Sequence, residues 1–311
     1  MKSLKQALKD YLCIRRSLGF QLREPGSLLR NFVAFLQAED APYITRELAL
    51  RWATQPAKVQ PATWAERLGM VRRFALWHST IDPRTEIPPV GLLPHCYRRK
   101  PPHIYSDEEI EKLLRQTQQL PSPKGLRART YTTLFGLLVA TGMRVSEALG
   151  LDRPAVDLQL GILHIRWGKF GKSRYVPVHP STVEALKKYV EVRDRIFSAS
   201  TTPAFFISER GLRITDCTAR YTFAKLSQQI GLRRPAKGHG RGPRLQDMRH
   251  QFAARTLIHW YRAGLDVERE LPKLSTYLGH VHVNDTYWYL EAVPELLQLA
   301  TNRLTQREVQ P

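Results

Sequence analysis

Tyr289 and His280 stand nine residues apart in the stretch Leu278–Tyr289, LGHVHVNDTYWY. A tyrosine hydroxyl ionises near pH 10, so it becomes a useful nucleophile only where cations stabilise its oxyanion. A phosphodiester makes a matching demand, because positive groups must grip its non-bridging oxygens as charge builds in the transition state. Tyr277, Tyr287, Trp288 and Tyr289 are equally the aromatic stripe of a packed helical core, so the choice rests on whether the chain supplies the cations. It does so just upstream. Arg233, Arg234, Lys237, Arg241, Arg244 and Arg249 crowd together against a single acid, Asp247, among glycines that let backbone approach a ligand. Gln246, Arg249 and His250 fall on neighbouring positions near the start of an expected helix, where anions are favoured. Further back, Arg144 opens another expected helix, with Glu147 on the same face and close enough to hold its guanidinium.

The composition points the same way. The chain has 311 residues, 48 Lys plus Arg against 28 Asp plus Glu, and a formal net charge of +20, which calls for a polyanionic partner, nucleic acid first. Basic residues exceed acidic ones in both halves, so the bias is not a tail. With 42% apolar residues the length suits two domains, each with its own core. Cys13, Cys96 and Cys217 are far apart and lack metal-ligand spacing, which disfavours a disulfide framework or a zinc site and fits a reducing cytoplasm. No signal-peptide region or membrane-spanning run is read in the chain, so the expected setting is cytoplasmic, at the nucleoid.

The elements that must position these residues follow from periodicity and caps. Ser3 caps a first helix that stops at Gly19; a second ends near Asp40, a third covers about Thr45 to Thr54, and Thr63 with Glu66 reads as the capping box of a fourth. Residues 1–82 are thus expected as a helical domain, and residues 83–103, rich in proline, as an extended linker. Arg72 and Arg73 on the fourth helix, and Arg98, Arg99 and Lys100 in the linker, suit contact with a phosphate backbone. Residues 104–311 begin with the capping box Ser106 to Glu109 and a helix stopping at Gly142. Period-two patterning then predicts a small antiparallel sheet with strands at Val156–Leu158, Ile162–Trp167 and Arg174–Val178, whose last turn projects Lys169 and Lys172. Further helices are expected from Ser181, capped with Glu184, from Asp216, from Leu245 to Arg262, from Pro272 to Gly279, over a turn capped by Asp285, and from Pro294 to about Arg303. The fold class is mainly α with a small antiparallel β-sheet.

Taken together, these pieces resemble the tyrosine recombinases, also called phage integrases, over nearly the whole chain. Ala140–Leu149, ATGMRVSEAL, is similar to the box of the first catalytic arginine, here Arg144 with Glu147 in support. The hairpin Gly168–Pro177 resembles the one bearing the family's β-turn lysine, which implies Lys169, with Lys172 as the alternative. Arg249, followed by His250, falls at the arginine of the second box, Leu278-Gly279-His280 matches the third, and Tyr289 stands at the family's interval from that histidine. One departure is plain: the second box opens on Gln246 where most of the family has histidine. An amide donates a hydrogen bond but exchanges no proton near neutral pH. The run Tyr287 to Leu290 with Val293-Pro294-Glu295 resembles a subgroup borne by transposons and other mobile elements.

The resemblance implies an α+β catalytic domain behind a helical core-binding domain, and a site-specific recombinase acting through a 3′-phosphotyrosyl intermediate. In that scheme Arg144 and Arg249 clamp the phosphate, His280 and Gln246 hydrogen-bond it, Lys169 protonates the leaving oxygen, and Asp247 and His250 support. It further implies no metal or other cofactor, double-stranded DNA carrying specific sites as partner, and a homo-tetramer on paired sites, with related recombinases as further partners. The helix from Pro294 is expected to dock on a neighbour, and Lys172, Arg241 and Arg244 join the DNA-contacting set. Two alternatives stay open: a type IB topoisomerase-like enzyme, and a DNA-binding regulator weakened by Gln246.

Overall fold

The computed structural model describes residues 3–96, 101–166, 173–198, 202–234 and 242–309, which form two compact units, Met1–Lys100 and Pro101–Pro311. The first is a bundle of α1 (Leu4–Ser17), α2 (Arg23–Ala38), α3 (Arg46–Thr54) and α4 (Pro61–His78). Ser3 and Thr45 cap α1 and α3 through their hydroxyls, accepting from Gln6 N–H and Leu48 N–H. Phe32, Trp52, Val71 and Phe74 are sealed from solvent at its centre, each contributing roughly 1.5–3 kcal/mol by burial. The expected capping box of Thr63 and Glu66 does not form. The helix starts earlier because Pro61 occupies its first turn, where the missing N–H costs nothing.

The proline-rich segment after α4 has no helix or strand among its described residues, yet its first part is held in place. His78 Nδ1 meets Thr85 Oγ1 at 2.8 Å, and the Glu86 carboxylate accepts from Arg46 N–H at 2.8 Å.

The second unit runs α5 (Asp107–Thr117), α6 (Leu126–Thr141), α7 (Val145–Gly150), strands β1 (Val156–Asp157), β2 (Ile162–Ile165) and β3 (Arg174–Pro177), then α8 (Pro180–Ile196), α9 (Asp216–Gln229), α10 (Asp247–Arg262), α11 (Val267–Leu278), α12 (Asn284–Ala292) and α13 (Pro294–Val309). The mainly helical class and the small sheet are as the periodicity predicts. The order is β1-β2-β3, all antiparallel, with Leu163 opposite Val176 and Ile165 opposite Arg174. One core packs α5, α6, α8 and α9 against the sheet through Phe135, Leu163, Tyr189 and Phe223. A second joins α10 to the C-terminal helices through Leu257, Leu271, Leu278, Tyr289 and Leu296.

Several local expectations need correction. Helix α8 is capped by the His179 ring, not by Ser181 with Glu184; Pro180 takes its first position and Glu184 faces Lys188 instead. Pro272 lies inside α11, which Asp266 starts a turn and a half earlier by accepting from Arg269 N–H. Asp285 lies within α12 rather than capping it. The helix from Pro294 extends to Val309, and its Leu296 and Glu295 are turned to its own unit, the latter pairing with Arg262 at 2.7 Å. Among the described residues no helix is long and apolar enough to cross a membrane, and no group of three His, Cys, Asp or Glu side chains is placed to hold a metal ion.

Candidate active site

Two helix ends build the site. Helices expose unpaired carbonyls at their C-termini, where the helix dipole also favours cations. Helix α6 closes on Gly142 and α11 on Gly279, both left-handed at φ +58° and +70°. Arg249, in the first turn of α10, spans both ends: it donates to the Gly142 carbonyl at 3.0 Å and the Leu278 carbonyl at 2.7 Å. Arg144, the residue preceding α7, donates to the Gly279 carbonyl at 3.0 Å and to Glu147 Oε1 at 2.7 Å. The two arginines that lie far apart in sequence thus share one corner.

Both glycines are needed sterically. A Cβ on Gly142 would come within 2.6 Å of the Phe252 ring, and one on Gly279 within 2.7 Å of the Arg174 guanidinium.

Tyr289 faces this corner. Its ring lies nearly parallel to His280 at 6.0 Å and tilts against His250 at 5.4 Å, and the side chain is buried. Burial pushes its hydroxyl above the ordinary tyrosine value, while the charges of Arg249 and Arg144 pull the other way. The hydroxyl therefore already feels both guanidiniums. Arg249 is itself lowered to about 10 by burial and stays protonated at neutral pH. His280 follows Gly279, and its Nδ1 meets Thr286 Oγ1 at 2.7 Å. Burial first, then the neighbouring arginines, lower it to about 4, so at pH 7 it is neutral.

The supporting residues fall into place around them. Glu147 is almost fully buried; desolvation would raise its carboxyl, but Arg174 and Arg144 outweigh that and hold it at about 2. Asp247 is buried and accepts from the Arg244 backbone N–H at 2.8 Å and guanidinium at 2.8 Å, bracing the start of α10. His250 sets its ring edge to face against Trp288, with Nδ1 buried and unpartnered, and burial lowers it to about 4. Gln246 precedes α10, half-buried, and its amide makes no hydrogen bond among the described residues.

Two further residues of the site, Arg174 and Thr286, are signature positions in none of the motifs that the sequence displays. Arg174 donates to both Glu147 oxygens, at 3.0 and 2.8 Å, and to the Tyr277 carbonyl at 2.8 Å. Its signal was present: on a period-two strand it shares the inward face with Val176, where an arginine must have a buried partner. Thr286 is wholly buried on α12, one turn before Tyr289. A hydroxyl residue in a helix carries no comparable sign.

Of the proposed DNA-contacting residues, Arg244 is exposed but tied to Asp247, and Arg72 and Arg73 lie on α4 of the first unit, beside a cavity of about 360 Å³ that His95 also lines. Lys169, Lys172, Arg98, Arg99, Lys100 and Arg241 lie outside the described residues.

Comparison with known proteins identifies the family. The model of the phage integrase family matches residues 104–295. "Putative integrase/recombinase y4rB" of Sinorhizobium fredii is 49% identical over 311 residues, covering 99% of this chain and 98% of its own length. Tyrosine recombinase XerD of Neisseria meningitidis serogroup B is 30% identical over 240 residues, 77% of this chain and 75% of its own. Among solved structures, a lambda integrase tetramer bound to a Holliday junction shares the fold with a TM-score of 0.61 at 16% identity, over 93% of this chain and 77% of that one. The chain belongs to the phage integrase family, the tyrosine recombinases, enzymes that break and rejoin DNA strands.

Proposed function

We propose that this chain is a site-specific recombinase in which Tyr289 attacks a DNA phosphodiester. The tyrosine oxygen forms a bond to phosphorus as the bond to the 5′-oxygen breaks, leaving a 3′-phosphotyrosyl link and a free 5′-hydroxyl. The tyrosine gives its proton to solvent water, and the leaving 5′-oxygen takes one from Lys169; both transfers reverse on rejoining. Rejoining runs the same exchange backwards with a 5′-hydroxyl from the other duplex, so no energy source is consumed.

Arg144 and Arg249 grip the non-bridging oxygens. Each keeps N–H donors beyond those bound to the carbonyls, and each favours the tyrosine oxyanion as well as the phosphorane. His280, neutral and held at Nδ1 by the Thr286 hydroxyl, presents Nε2 to the phosphate as a hydrogen-bond donor when Thr286 donates. Gln246 supplies a further, uncharged donor. The observation that carries this reading is the corner itself: Arg249 held on the Gly142 and Leu278 carbonyls, Arg144 on the Gly279 carbonyl, and the buried Tyr289 ring set against His280.

The net charge of +20 and the tetramer formed by lambda integrase on its junction support double-stranded DNA as partner and four protomers on paired sites. Residues 1–82 would act as the core-binding domain, joined by 83–103 to the catalytic domain, with Arg72, Arg73 and Arg244 on the backbone. The outward side of α13, where Leu297 is exposed, is the candidate contact with a neighbouring protomer. The sequence run at 287–290 supports a mobile-element setting. Nicked duplexes tiled across the DNA flanking the coding sequence test the reading: the nick traps a covalent complex that a denaturing gel detects.

A further inference from the structure

We propose that Arg174 is a positioning residue for strand cleavage, fixing the Arg144 guanidinium through the Glu147 carboxylate that the two arginines share. The proposal rests on the reading of Tyr289 and Arg144 given above.

The Glu147 carboxylate accepts four hydrogen bonds, a full complement for two oxygens. Oε1 takes one guanidinium nitrogen each from Arg144 and Arg174, at 2.7 and 3.0 Å; Oε2 takes the Arg144 backbone N–H at 2.9 Å and the second Arg174 nitrogen at 2.8 Å. The Arg174 fork is therefore the two-pronged pairing that only a planar guanidinium makes. Its remaining Nε–H goes to the Tyr277 carbonyl at 2.8 Å, next to the Leu278 and Gly279 carbonyls that hold Arg249 and Arg144. One side chain thus links β3, the carboxylate behind Arg144 and the end of α11. All three nitrogens are engaged inside the protein and the side chain is 13% exposed, which suits support better than contact with DNA.

A buried carboxylate with one cation fewer is poorly compensated, because burial opposes its charge. With Arg174 gone, Glu147 is left to Arg144 alone for hydrogen bonding and to the more distant field of Arg249. The Arg144 fork then loses its fixed anchor without losing its charge.

The test is a cycle on the nicked-duplex assay using the full chain: Arg174→Gln, Glu147→Gln and the double variant, with Tyr289→Phe as control. Arg174→Gln should slow adduct formation about 10- to 100-fold, the usual cost of losing a residue behind the reacting groups, and leave DNA affinity and its salt dependence unchanged. In the Glu147→Gln background the same change should alter the rate by less than about 2-fold, since the anchor is already gone. The acid limb of the rate profile should also move to higher pH in Arg174→Gln, as Glu147 takes up a proton more readily. If Arg174→Gln fails to fold, Arg174→Lys replaces it in the cycle, keeping the charge but not the fork. Rates that multiply in the double variant, or a loss confined to DNA affinity, overturn the proposal while leaving the Tyr289 reading standing. A wild type that forms no adduct, or a Tyr289→Phe variant that forms one, overturns that reading and this proposal together.

Discussion

Arg144 donates to the carbonyl of Gly279 at 3.0 Å, across 135 positions of sequence. The bond joins the start of α7 to the end of α11, one residue before His280. Together with Arg249 on Gly142 and Leu278, it makes the backbone ends of two helices the seat of both candidate phosphate-binding cations. Side chains held by backbone carbonyls are placed by the fold itself, not by loop side chains.

Arg249→Ala should therefore do two things. It should lower adduct formation by roughly 10²–10³-fold, as loss of an oxyanion donor does. It should also strand two buried carbonyls, at about 1–3 kcal/mol each, visible as a lower melting temperature. Near-normal cleavage by this variant would remove Arg249 from the proposed mechanism.

The glycine at 142 should be irreplaceable where a neighbouring one is not. Gly142→Ala combines a left-handed backbone at φ +58° with a Cβ 2.6 Å from Phe252, and about 3 kcal/mol of destabilisation is expected. Gly136, in the middle of α6, has nothing within 4 Å of an added Cβ, so Gly136→Ala should stabilise by about 0.5–1 kcal/mol. Chemical denaturation of the two variants compares them directly.

Stability should fall in two stages on acidification. His250 and His280 are both lowered to about 4 in the fold, chiefly by burial. Their contribution is complete above the unfolded value near 6.5 and lost as pH falls through 4. Glu147, held at about 2 against its ordinary 4.5, contributes about 3 kcal/mol above that ordinary value, lost as pH falls towards 2. A melting profile from pH 7 to pH 3 should slope throughout, and His250→Gln should flatten its upper part.

Gln246→His tests the departure in the second box. The amide has no hydrogen bond among the described residues, so the position tolerates exchange, and an imidazole there adds a proton-exchanging group. Adduct formation should rise by about 10-fold or more, given the 10²–10⁴-fold that such groups contribute. An unchanged or slower rate would show that glutamine is the working residue here.

Much of this site was legible beforehand because its members sit beside helix boundaries, which glycines and caps announce. Gly142 and Gly279 end α6 and α11 where the sequence places stops, and Arg144, Arg249, His280 and Tyr289 gather around those ends. What stayed hidden depends on tertiary partners. Arg174 looks like any strand arginine until Glu147 is brought beneath it, and Thr286 like any helical threonine until His280 meets it. The caps that do not form have a local reason: Pro61 and Pro180 pre-empt Thr63 and Ser181 as helix starts, while Pro272, a helix-start signal in sequence, sits inside α11.

The measurement that bears most directly on the central claim is covalent capture on nicked duplexes, wild type beside Tyr289→Phe. The account predicts a protein–DNA adduct that survives denaturation, is lost in Tyr289→Phe, and yields a single phosphotyrosyl peptide containing residue 289. DNA binding without any adduct, or an adduct that persists in Tyr289→Phe, would contradict it.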